Sequence, residues 1–266
     1  MTIAPERSRT AGREPDVRRA LDGVADPELD EPITDLGFVR SVAVADDGTV
    51  EVHLRLPTSF CSPSFAYLMA GDAKDAVSAL PWVTRAVVQL DDHHDSELIN
   101  RGLAADAGYL GTFGNEAESD LDGLRETFRR KAHTAAMERS LTGLLRADPD
   151  LAETALGTMT LADLPAGDRF TAALLQRRAA LGLPEDPSAL VLVDEHGQGY
   201  PPHEVPLRLR RARSTRISID GNAHFCRGLL RTRYPGSESD QAARPEGAEA
   251  TEPTFIPLSD LQEHPR

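Results

Sequence analysis

Apolar positions along the chain change their period in a way that marks out two parts. Val17, Leu21 and Val24 recur at i, i+4 and i+7 and predict a helix that stops before "ADPELDEP", where Pro27 and Pro32 interrupt it. "FVRSVAVADDGTVEVHLRL" then alternates. Val42 and Val44 share one face, Asp47-Gly48 supplies a tight turn, and Val50, Val52, Leu54 and Leu56 line one face of the returning strand. The period returns to helical over about Pro63 to Leu80, with Phe65, Leu68, Met69, Ala73, Val77 and Leu80 on one stripe, Ser62 at the N-cap and Pro63 at the first helical position. "LPWVTRAVVQLDD" closes that helix and opens a third strand. The fold class is therefore α+β: a small α-β-β-α-β domain over residues 14–94, with helices on one face of its sheet, followed by a helix-rich region over 95–234 with a few strands.

In the second region, "SDLDGLRETFRRKAHTAAMERSLTGLLRADPD" keeps helical spacing up to Asp148-Pro149, and a further helix is expected from Asp168 to Leu181. "ALVLVD" (Ala189 to Asp194) reads as a buried strand and "RISID" as another. Gly221-Asn222 then leads into a short helix, "AHFCRGLLRTRY". His133 falls mid-helix and is expected at the surface. Residues 1–13 and the tail 235–266 are polar, carry Pro and Gly, and are expected to be disordered. "TFIPLSDL" in the tail is its one apolar stretch and a candidate docking peptide.

Composition narrows the classes. The formal net charge of −14 disfavours general nucleic-acid binding, which needs clustered Lys and Arg. The exception is "LRLRRARSTR", with Arg208, Arg210, Arg211, Arg213 and Arg216, read either as a solvated strand or loop or as a docking patch for an acidic partner. No apolar run approaches the roughly 20 residues of a membrane helix, and the N-terminus has no apolar core of a secretory signal. A cytoplasmic protein with no membrane partner is the expectation.

Two cysteines, far apart in the chain, do not make a disulfide framework. Cys61 precedes the predicted helix at Pro63, and Cys226 falls in the first turn of the predicted short helix, four residues after Asn222. A helix N-terminus stabilises a thiolate, which would make both cysteines candidate metal ligands or nucleophiles; buried packing is the competing reading for each. Iron–sulfur clusters are usually held by four thiolates, and one chain offers two, so a cluster held by one chain alone is disfavoured unless chains pair or His and carboxylate groups contribute. His224 lies two residues from Cys226, a spacing that does not share a helix face. "DDHHD" (Asp91 to Asp95) suits a divalent metal by composition and reads equally as a polar loop at a strand end, the reading preferred here. No nucleophile elbow, phosphate loop, dinucleotide fingerprint or H-E-x-x-H motif is present, which counts mildly against a hydrolase; the overall expectation is a protein that is not an enzyme.

The ordered motifs Asp26-Pro27-Glu28, Asp35-Leu36-Gly37, Thr58 to Cys61 and Leu80-Pro81-Trp82-Val83 resemble those of the PaaD/SufT-like iron–sulfur assembly domain over residues 14–94. The resemblance implies an α+β fold and a role in maturing iron–sulfur or other metalloproteins. It implies Cys61 as the reactive cysteine, framed by Asp26, Asp35 and Thr58. Two departures stand out: Ser62 separates Cys61 from Pro63, and "DDHHDSE" replaces the family's usual ending. Residues 95–234 lie outside the resemblance, and the whole is similar to longer bacterial proteins encoded beside multicomponent di-iron monooxygenases. The implied function is an accessory factor that delivers a transient iron–sulfur cluster, or iron, to a client metalloenzyme such as a monooxygenase component. Cys61 would act with Cys226 as a second ligand and His224 in support, and a homodimer is one route to more ligands. The alternatives are a client adaptor or chaperone that binds no metal, and a thiol enzyme using Cys61 with a nearby His.

Overall fold

A computed structural model describes residues 12–114 and 121–242 of the chain. Residues 1–11 and 243–266, including the candidate peptide "TFIPLSDL", lie outside the described residues. The order begins α1 (Glu14–Leu21), β1 (Ala25–Asp26), β2 (Glu31–Pro32), β3 (Val39–Val44), β4 (Thr49–Arg55), α2 (Pro63–Ser78) and β5 (Arg85–Asp91). It continues α3 (Ser96–Ala104), α4 (Gly108–Phe113), α5 (Asp122–Ala147), α6 (Arg169–Leu181) and α7 (Val205–Arg233), with short 3-10 turns at Glu153–Thr158, Leu161–Asp163 and Ser237–Asp240.

The predicted hairpin forms: β3 and β4 pair antiparallel, with Val42 opposite Val52 and Val44 opposite Val50. β5 joins β4 in parallel, Val50 opposite Ala86 through Arg55 opposite Asp91. A parallel neighbour needs a crossover, and α2 supplies it. Alternation puts Val50, Val52, Leu54 and Leu90 on the covered face, where Val17 and Leu21 of α1 and Ala70, Ala73 and Val77 of α2 meet them. Ahead of the sheet, β1 and β2 form a two-residue ladder that holds the Asp26-Pro27-Glu28 turn.

The helical region has its own core. Leu141 of α5, Leu174 of α6, and Val205 and Leu209 of α7 close around Leu156 and Val191. α6 runs as expected: Asp168 accepts hydrogen bonds from the Phe170 and Thr171 amides, and Gly182 ends the helix in the left-handed conformation. His133 is buried rather than exposed. Its pKa is pushed down to about 4, by burial first and then by Arg178 and Arg177, so the ring is neutral at physiological pH.

Other expectations change as well. Ala189 to Asp194 is not a strand. Val191, Leu192 and Val193 are buried, but only isolated bridges form, Thr160 with Leu190 and Val193 with Gly199. The backbone is bonded piecemeal instead: the Val191 amide donates to the Met159 carbonyl (2.9 Å), the Ala189 carbonyl accepts from the Leu161 amide (2.9 Å), and the fully buried Arg178 donates from an Nη to the Leu190 carbonyl (3.0 Å) and from Nε to that of Pro184 (2.8 Å). "RISID", Gly221-Asn222 and the short helix are all one 29-residue helix, α7. Ile219 and Ala223 are buried along it, and packing outweighs the β-branched and glycine propensities. The N-terminal half of α7 belongs to the helical core, while Ala223 and Leu230 enter the core of the N-terminal domain. The Arg-rich stretch is thus helical, and much of it is spent internally: Arg208 pairs with Glu204, and Arg213 and Arg216 with buried Glu138. Finally, residues 235–242 are ordered, against the expectation of a disordered tail from 235. Ser237 is buried, Asp240 pairs with Arg55, and the Ala242 amide donates to the Asp35 carbonyl.

This return of the chain explains the Asp35-Leu36-Gly37 motif. Leu36 is fully buried, and Gly37 turns with φ +77° directly beneath Gln241 and Leu230. A Cβ at Gly37 would lie 2.9 Å from the Gln241 Cγ, in a backbone region that L-residues avoid. Gly37→Ala is expected to lower stability by about 1–3 kcal/mol, read as a shifted urea midpoint.

Candidate functional site

Cys61 lies in the turn between β4 and α2, half-buried and unbonded to any other cysteine. The turn is built by its own polar residues. Thr58 Oγ1 accepts a hydrogen bond from the Phe60 amide (3.2 Å) and lies 3.4 Å from Cys61 Sγ. Pro63 starts α2 as expected, but Ser62 Oγ pairs with Ser64 Oγ (2.8 Å) and makes no side-chain cap bond. Behind Cys61 stands His93. Its Nδ1 accepts from the Asp95 amide (3.1 Å), which leaves the proton on Nε2 to be donated to the Cys61 carbonyl at 2.9 Å. "DDHHD" is thus a loop, and its buried His93 positions the cysteine turn, a role that spacing alone did not disclose. The next residue, His94, stacks against Phe60.

Cys226 is not at a helix N-terminus. It lies in the last third of α7, where no free backbone amides face it. Burial raises its thiol pKa to about 12, and Asp26, Cys61 and Glu28 add to the rise. The two cysteines therefore lie within electrostatic reach of each other. Hydrogen bonds along α7 agree. One turn before Cys226, Asn222 donates to Glu28 (3.2 Å); two turns after it, Arg233 donates to the Leu56 carbonyl (3.1 Å) and to that of Asp92. Both cysteines pack against the core of the N-terminal domain.

Asp26 completes this cluster. Its Oδ1 accepts from the Glu28 and Leu29 amides, both at 2.9 Å, which shapes the Asp26-Pro27-Glu28 turn. Burial outweighs those bonds and raises its pKa to about 6. Asp26 also lines a cleft of about 460 Å³ between the domains, with Asp30, Asp72, Arg125 and Arg177. Two expected members stay apart. Burial first, then Asp22 and Glu31, raise the pKa of Asp35, against Arg227, which lowers it. His224 is exposed and borders a different hollow, with Arg227, Arg231 and Gln241, because i and i+2 diverge on a helix.

Two sulfurs suit iron, and iron bound there would replace the thiol protons. Among the described residues, however, no group of three or more His, Cys, Asp or Glu side chains is arranged to hold a metal ion.

Residues 14–88 match the model of a family described as iron–sulfur cluster assembly protein. An uncharacterized protein of Methanocaldococcus jannaschii is 38% identical over 88 residues, which are 33% of this chain and 90% of that protein. The chain belongs to the iron–sulfur cluster assembly protein family. The resemblance of its N-terminal third to the PaaD/SufT-like domain therefore stands. Iron–sulfur cluster carrier proteins of Mycobacterium bovis and Mycobacterium tuberculosis are 36% identical over 81 residues, 30% of this chain and 21% of each carrier. No solved structure matches the chain. The part matched to the assembly family holds Asp26, Asp35, Thr58 and Cys61; Cys226 and His224 lie beyond it. Among the described residues no helix is long and apolar enough to cross a membrane.

Proposed function

We propose that this member of the assembly family is an accessory factor that holds iron or an iron–sulfur cluster transiently at Cys61 and passes it to a client metalloenzyme in the cytoplasm. The supporting observation is the Cys61 turn itself. A half-buried free thiol sits in the family domain, with Thr58 on its sulfur and His93 on its carbonyl. Such a thiol is held in place yet reachable, which suits a ligand that must both bind and release. A component of a di-iron monooxygenase is the client that the wider resemblance implies, and co-purification with such a component tests that choice. After anaerobic incubation with ferric iron and sulfide, wild type is expected to retain both, and Cys61→Ala to lose most of each, by visible absorption and metal analysis.

A second reading has its own support. The lack of a three-donor group among the described residues, and the thiol of Cys226 held protonated, favour an adaptor that binds a client without metal. On that reading Cys61→Ala would leave client maturation intact.

A further inference from the structure

The site has half of the sulfur ligands that a cluster takes. Iron–sulfur clusters are held by four cysteine thiolates. This chain has two cysteines, one in the β4–α2 turn and one on α7; α7 is tied across the N-terminal domain by Asn222 to Glu28 and by Arg233 to the Leu56 carbonyl, and both cysteines pack against that domain's core. No third donor joins them in an arrangement suited to a metal among the described residues. Two further sulfurs can come only from outside the chain, and a second copy carries the same pair on the same surface. A two-fold axis through the cluster supplies four ligands with no further sequence.

The surroundings of the pair fit a partner. Phe60, next to Cys61, is 82% exposed, and Phe225, next to Cys226, is 70% exposed. Leu229 lies exposed one turn beyond Phe225. Large aromatic side chains left in water at the chain neighbours of both cysteines are the material of an interface core. The net charge of −14 makes two empty copies repel, so the contact needs the cluster to hold it.

We propose that a second copy of this chain completes the site, Cys61 and Cys226 of each copy holding one cluster across a two-fold interface lined by Phe60 and Phe225. This rests on the reading of Cys61 as a cluster-handling thiol. Two ferric ions, two sulfides and four thiols combine. Each thiol exchanges its S–H bond for an S–Fe bond and releases one proton, and no electron is transferred.

The test is anaerobic reconstitution of the full chain with ferric iron and sulfide, followed by size exclusion with light scattering and iron and sulfide analysis. The expected product is a dimer with about one iron and one sulfide per chain, against a monomer before reconstitution. Cys61→Ser and Cys226→Ser each should lose both the cluster and the dimer. Phe225→Asp, at an exposed position that keeps the thiols, should lower the yield of cluster-bearing dimer by about tenfold. A cluster retained on a monomer, or retained by Cys226→Ser, would overturn the paired site while leaving the role of Cys61 standing. No iron or sulfide on the wild type would overturn both.

Discussion

Replacing Asp26 with Asn is expected to stabilise the protein by about 3 kcal/mol at pH 7.5 and by less than about 1 kcal/mol at pH 4. Asp26 is buried, and its pKa rises from 3.8 to about 6, chiefly by desolvation. Well below pH 3.8 the carboxyl is neutral in the folded and the unfolded chain alike. Between 3.8 and 6 the unfolded chain releases its proton while the folded chain keeps it, and stability falls by about 1.4 kcal/mol per pH unit. Above pH 6 both forms are ionised and the whole penalty remains. Asn keeps an oxygen for the Glu28 and Leu29 amides and carries no charge to desolvate. Urea denaturation of both proteins at pH 4 and pH 7.5 measures the difference; an equal gain at both pH values would mean that burial of charge is not the cause. A costly carboxylate within electrostatic reach of the Cys226 thiol points to a use at that place. Because the Asp26 charge contributes to the raised pKa of Cys226, the same variant should also speed alkylation of Cys226 at a fixed pH.

Glu138→Ala is the complementary case and is expected to cost about 3 kcal/mol. Glu138 sits on α5 with 0% exposure and accepts from Arg213 (3.2 Å), Arg216 and Thr142 (2.8 Å). Arg216 also donates to Asp220 (2.9 Å), which accepts from Arg139 of α5 (2.6 Å). These bonds clamp the middle of α7 to α5. Removing the carboxylate leaves two guanidinium groups that were placed for it; Arg213 can turn to water, whereas Arg216 keeps only Asp220. Urea unfolding gives the magnitude, and Glu138→Gln, which keeps the shape and some of the bonds, should lose less. The clamp lies two turns and more ahead of Cys226 on the same helix, so Glu138→Ala should also reduce iron retention relative to wild type.

What is local in this protein was legible in the sequence. Asp47-Gly48 with alternating valines dictates the β3–β4 hairpin, and Pro63 after Ser62 dictates where α2 starts. The motif residues Asp26, Gly37 and Cys61 each occupy a turn whose conformation their own side chain, or its absence, permits. Short-range sterics and hydrogen bonds decide such features, and these depend on a few neighbours in the chain. Features decided by distant partners were not legible. "RISID" and Gly221 read locally as a strand and a break, yet α7 runs through them, because both cores and the Glu138 clamp bury one side of it. Val191 to Val193 read as a strand because they are apolar, but their stretch is bonded by scattered partners, the Met159 carbonyl for the Val191 amide and Arg178 for the Leu190 carbonyl. His133 looked exposed because nothing in its own helix announces that α6 brings Arg177 and Arg178 alongside. The candidate site divides along the same line. Its chemistry, two thiols and an acidic turn, is a property of the sequence, while the approach of Cys226 to Cys61 exists only because α7 returns across the N-terminal domain and is tied there by Asn222 and Arg233.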